Sequence, residues 1–78
     1  MEELVRFIAK SLVDNPDAVT VTTKEEGGET VIVLSVAQPD MGKVIGRQGR
    51  IAKAIRTVVK AASVKEDCKY MVEIVEQA

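Results

Sequence analysis

The sequence contains no histidine and no tryptophan, and only one cysteine, Cys68. Without histidine there is no imidazole base, no His-containing triad and no His-ligated zinc site. One cysteine closes no disulfide and builds no thiolate cluster, so 78 residues must hold a small core without cross-links. A domain of that size gains from association, and an oligomer is expected. Aromatic residues are limited to Phe7 and Tyr70. No apolar run is long enough to span a bilayer, and the first residues lack the charged-then-apolar pattern of a signal peptide. A cytoplasmic protein is expected, forming one domain over residues 1–78 with no membrane association.

The charged residues are plentiful and unevenly placed. Glu2-Glu3, Glu25-Glu26 and Glu66-Asp67 fall at expected helix starts and turns, where solvated charge is their ordinary role. They form no catalytic or metal-ligating set, and no enzyme and no cofactor are expected. Eleven basic and twelve acidic residues give a net charge of -1. Between Met41 and Lys65, however, lie Lys43, Arg47, Arg50, Lys53, Arg56, Lys60 and Lys65 with no acid among them. This segment is strongly basic while the remainder is acidic, a polarity that attracts a polyanion to one place and limits indiscriminate binding elsewhere.

Hydrophobic periodicity gives the order helix, strand, strand, helix, helix, strand. Leu4, Ile8 and Leu12, widened by Val5 and Phe7, predict an amphipathic helix from Glu2 to Val13, ended by Asn15-Pro16. Val19 and Val21 alternate with threonines in a strand over 18–24, and Gly27-Gly28 turns the chain. Thr30 to Val36 is almost continuously apolar and β-branched, as in a central strand. A short helix follows Pro39 and stops at Gly46. From Arg50 to Ser63, Ile51, Ala54, Ile55, Val58, Val59 and Ala62 form one stripe, opposite Arg50, Lys53, Arg56 and Lys60. Cys68 to Glu76 reads as the last strand, with Cys68, Tyr70, Val72 and Ile74 on one face. A hairpin followed by a two-helix crossover predicts a three-stranded mixed sheet with helices on one face, an α+β fold.

The segment Gly46-Arg47-Gln48-Gly49 joins two of these helices. As a bare pattern it is weak, since chance supplies roughly 0.3–0.4 such matches in a chain this short. Two helix boundaries would account for the glycines. Its setting adds weight. The loop feeds a helix N-terminus, whose backbone N–H groups and dipole favour an anion. Glycines let a phosphodiester approach the main chain, and Lys43, Arg47, Arg50 and Lys53 surround the point. Neither a dinucleotide fingerprint nor a nucleotide-hydrolysing phosphate loop fits the spacing.

Met41-Gly42-Lys43-Val44-Ile45-Gly46-Arg47-Gln48-Gly49 resembles the signature of the KH-domain family, and the element order resembles its type II fold. More narrowly, Gly46 to Arg56 is similar to the KhpA family of small bacterial KH proteins (YlqC-like). Ala52 departs from the broad pattern, in which many members carry isoleucine or leucine there. The resemblance implies a non-catalytic protein that grips single-stranded RNA, with a role in post-transcriptional regulation or as an RNA chaperone. By position, Gly46 and Gly49 would shape the clamp, Arg47 and Gln48 its tip, and Lys43, Arg50 and Lys53 would meet phosphates. Val44, Ile45 and Ile55 are candidates for a groove wall, with core as their other reading. The resemblance further implies homodimers, and heterodimers with a larger KH protein of the KhpB type (Jag or EloR). With two aromatics the chain lacks the stacking platform of RRM or OB folds, which a KH groove does not need. Single-stranded DNA binding and a purely adaptor role remain as alternatives. Aspartate at both Gly46 and Gly49 is expected to spare the fold and repel phosphate.

Overall fold

The computed structural model describes residues 1–66 and 69–77, with side chains at 65 and 66 left aside. Helix α1 (Glu2–Leu12) starts with Glu2 and Glu3 at the positive end of its dipole. Its apolar stripe is centred differently from expectation: Val5 and Ala9 are fully buried, whereas Phe7 is 72% exposed. A one-turn 3-10 helix at Pro16–Ala18 leads into β1 (Thr20–Glu26). Gly27 and Gly28, both at positive φ, turn the chain into β2 (Glu29–Val36). A second 3-10 turn at Gln38–Asp40 precedes α2 (Met41–Ile45), and a third at Arg47–Gly49 precedes α3 (Arg50–Glu66). The last strand is β3 (Tyr70–Glu76). Cys68, assigned from sequence to the start of that strand, lies outside the described residues, as does Asp67.

The sheet has the order β1-β2-β3, with β1 antiparallel and β3 parallel to the central β2. This is the mixed sheet that a hairpin plus helical crossover requires. Ile32, Leu34 and Val36 of β2 point to the helices and meet Val5, Ala9, Val44, Ile55 and Val59 in one core. In register with them, Val21 of β1 and Val72 of β3 complete the inner face. On the outer face, Val31 is nonetheless buried, flanked in its row by Lys24 and Met71. Lys24 there pairs with Glu26 at 3.2 Å and Glu73 at 3.6 Å, and these carboxylates, Glu26 foremost, raise its pKa above the ordinary 10.5.

One buried charge ties the helical layer together. Asp40, just before α2, is 1% exposed, and its carboxylate accepts the backbone N–H groups of Asp14 at 3.2 Å and Asn15 at 3.1 Å. The C-terminal end of α1 is thereby fastened to the start of α2. Two hydrogen bonds to backbone donors supply what a buried carboxylate needs in place of water.

Candidate nucleic-acid interface

The Gly46–Gly49 loop is built on backbone conformations that most residues avoid. Helix α2 closes with the Gly46 N–H on the Gly42 carbonyl at 2.9 Å, and Gly46 then adopts φ 76°, ψ 176°. That region is open essentially to glycine alone. Packing demands the same residue: a Cβ on Gly46 would sit 2.4 Å from Cγ1 and 2.9 Å from the backbone nitrogen of Ile51. Gly46 thus lets the end of α2 rest directly against the first turn of α3.

Gln48 follows at φ 59°, ψ 25° and Gly49 at φ 73°. A left-handed glutamine costs about 1–2 kcal/mol, held here by the turn in which the Gly49 N–H reaches the Gly46 carbonyl at 3.2 Å. No atom lies within 4 Å of a Cβ built on Gly49. The two glycines therefore do different work, one steric and one conformational. The Arg50 N–H donates to the Arg47 carbonyl, so the tight turn already satisfies one donor at the start of α3.

The structure sorts the residues singled out from sequence. Arg47, Gln48, Arg50 and Lys53 are exposed around the loop and the first turns of α3. Lys43 is exposed too, but its ammonium is paired with the Asp14 carboxylate. An exposed pair of this kind is worth about 0–1 kcal/mol, so a phosphate can take its place at small cost. Val44 and Ile55 are corrected to core residues: they are 0% and 2% exposed and offer no groove wall. Ile45 is half-buried and packs on the same core. Ala52 is buried, its small side chain facing the core side of α3.

A groove lies farther along the chain. It runs between α3 and β3, encloses about 750 Å3, and has Val59 and Val72 in its floor. Arg56 and Lys60 of α3 and Lys69 before β3 bring cations to its rim, and Glu29 at the start of β2 also lines it. Arg50, Lys53, Arg56 and Lys60 recur every three or four residues, which carries one basic stripe from the loop into the groove over about 15 Å of helix. The basic side of α3 was visible in its periodicity. The β3 wall and Glu29 were not, because strand pairing alone brings them there.

The described residues contain no cluster of side chains able to hold a metal, and no helix among them is long and apolar enough to cross a membrane. A family model described as KhpA/KhpB, KH domain, matches residues 2–74. The chain is 60% identical over 75 residues to the RNA-binding protein KhpA of Caldanaerobacter subterraneus subsp. tengcongensis, covering 96% of this chain and 100% of that protein. It is 62% identical over 76 residues to the RNA-binding protein KhpA of Clostridium perfringens, again covering 96% and 100%. Among solved structures, 96% of the chain superposes on 29% of Aquifex aeolicus Era bound to GDP.AlF4-, with a TM-score of 0.65 at 20% identity. A structure of Era with MgGDPNP and nucleotides 1506-1542 of 16S ribosomal RNA gives a TM-score of 0.61 at 20% identity, with the same coverage. At that identity the likeness to Era is one of fold, and to a minor part of the Era chain.

Proposed function

The chain belongs to the KhpA/KhpB KH-domain family, and from that membership we propose that it is a non-catalytic RNA-binding protein of the cytoplasm, acting as one KH unit over residues 1–78. The Gly46–Gly49 loop holds the sugar-phosphate backbone of single-stranded RNA, about four nucleotides in a clamp of this type. Arg47, Arg50 and Lys53 neutralise phosphates, joined by Lys43 once it leaves Asp14.

The observation that carries this reading is the steric fit at Gly46. It sets the loop against α3 with Gln48 left-handed and exposed, so that main chain and cations meet at one convex point. The test is the variant Arg47→Asp with Gln48→Asp. Both sites are exposed, and aspartate tolerates the left-handed region better than glutamine. The far-ultraviolet spectrum and melting midpoint are expected to hold, while affinity for single-stranded RNA falls at least about tenfold as two carboxylates face the phosphates. Unchanged affinity in the folded variant refutes the clamp. Parallel titration with a DNA strand of the same sequence tests for the contribution of the 2′-hydroxyl.

Association is part of the same proposal. Ala54 and Val58, assigned from sequence to the inner stripe of α3, are exposed, Val58 by 43%. This apolar side supports a homodimer, and a heterodimer with a larger KH-domain protein of the KhpB type, in which joined clamps strengthen a weak single site. Sedimentation of Val58→Asp is expected to show a monomer; an unaltered mass excludes this face.

A further inference from the structure

We propose that Asp14 is an internal competitor for phosphate, a carboxylate that occupies Lys43 in the free protein and yields it in preference to a strand gripped by the loop; the inference rests on the RNA-binding reading above and deepens it. The cations of the basic segment are not equally engaged. Arg47, Arg50, Lys53 and Lys60 enter no ion pair among the described residues. Arg56 meets a neutral group, its Nε donating to the Val72 carbonyl on the free edge of β3 at 3.4 Å. Among the described residues of the segment, Lys43 alone meets a carboxylate. That carboxylate comes from outside the segment, 29 residues earlier in the chain.

Local structure gives the Asp14 side chain no other task. It follows Val13, the C-cap of α1, where the negative end of the helix dipole disfavours an acid. The 3-10 turn at Pro16–Ala18 takes Asn15 as its N-cap and receives no side-chain cap bond. The joint between α1 and α2 is made by Asp40, through main-chain N–H groups and not through the Asp14 carboxylate. Those two bonds fix the backbone beneath the Asp14 side chain, which is itself 76% exposed. Asp14 is therefore a positioned anion at the surface, paired with a lysine within one helical turn of Gly46.

Lys43 cannot serve this carboxylate and a phosphate together, because the two anions would be forced into close repulsion. A small anion free in solution must displace a tethered carboxylate present at millimolar effective concentration or more. Its hold on Lys43 falls by the full factor of the pair. A strand held at Gly46–Gly49 presents its next phosphate from a tether of its own, and keeps in addition whatever the loop contributes. Asp14 thus favours polynucleotides over the free phosphates that surround them.

A double-mutant cycle tests this on the full chain, by fluorescence anisotropy with a fluorescein-labelled single-stranded RNA of random sequence. At about 150 mM salt, charges more than about 8 Å away are largely screened. Asp14→Asn, which keeps the main-chain bonds to Asp40, is expected to tighten binding about two- to fivefold, the range of an exposed pair, with an unchanged melting midpoint. Asp14→Ser, which also lacks the carboxylate, is expected to behave alike. In a Lys43→Met background the gain is expected to vanish. Inorganic phosphate, titrated into isotope-labelled protein, is expected to shift the Lys43 amide resonance at about two- to fivefold lower concentration in Asp14→Asn than in wild type. No tightening in either Asp14 variant, an equal gain with Lys43 replaced, or equal phosphate midpoints overturns the inference and leaves RNA binding standing. If the wild-type protein binds none of the RNA, the RNA reading falls, and this inference with it.

Discussion

At Gly46 one hydrogen atom in place of a methyl decides whether α3 can begin where it does. Gly46→Ala drives a Cβ into Ile51 and is expected to destabilise the fold by roughly 1–3 kcal/mol beyond its backbone strain. Gly49→Ala meets open space and pays only for its positive φ, about 1–2 kcal/mol. Urea midpoints of the two variants check the difference. The expectation that aspartate at both glycines spares the fold is therefore corrected for Gly46. From sequence the two glycines look equivalent, since neither φ nor the approach of Ile51 is encoded in a spacing. The role of Asp40 is likewise invisible in a spacing, because its partners lie some 25 residues away. Its replacement by alanine strands two backbone donors and is expected to cost about 2–4 kcal/mol, seen as a lowered melting temperature.

At the scale of the element, α3 shows what periodicity conveys and what it leaves open. A stripe at three- and four-residue spacing was legible, and so was the basic side opposite. Its exact centre was not: Ala52, Ile55, Val59 and Ser63 are buried, while Ala54 and Val58 face outward. A wide apolar arc fits several rotations of the helix, and packing on β2 and β3 selects one. Ile55→Ala is expected to cost about 2–5 kcal/mol by leaving a cavity. Val58→Ala is expected to stay within about 0.5 kcal/mol in the monomer, a contrast that thermal melts resolve. The same reason exposes Phe7 on α1, whose arc turned so that Val5 and Ala9 point inward. On β1, Lys24 has a raised pKa, so its contribution is fully present below 10.5 and is lost as pH rises through the folded value. The stability difference between wild type and Lys24→Met should be constant from neutral pH to about that point and shrink above it.

For the whole molecule, the order of elements fixed the strand order and directions, because a right-handed crossover of two helices leaves few other arrangements. Charge polarity was legible for the same kind of reason: it is a property of the chain before folding. The groove was hidden because its walls come from distant segments, Glu29 and Lys69 meeting only through the pairing of β2 with β3. If four phosphates are neutralised at the loop, affinity for single-stranded RNA should fall about 50-fold between about 50 and 200 mM salt. A flat salt response, read by the same titration, would remove the basic stripe from the contact surface. The hydrogen bond from Arg56 to Val72 has a further consequence, in the test tube and the crowded cell. A bare outermost strand is a template on which identical chains stack into fibrils. Arg56 occupies one of the carbonyls on which a neighbouring chain would dock, and so protects the sheet from polymerising through β3.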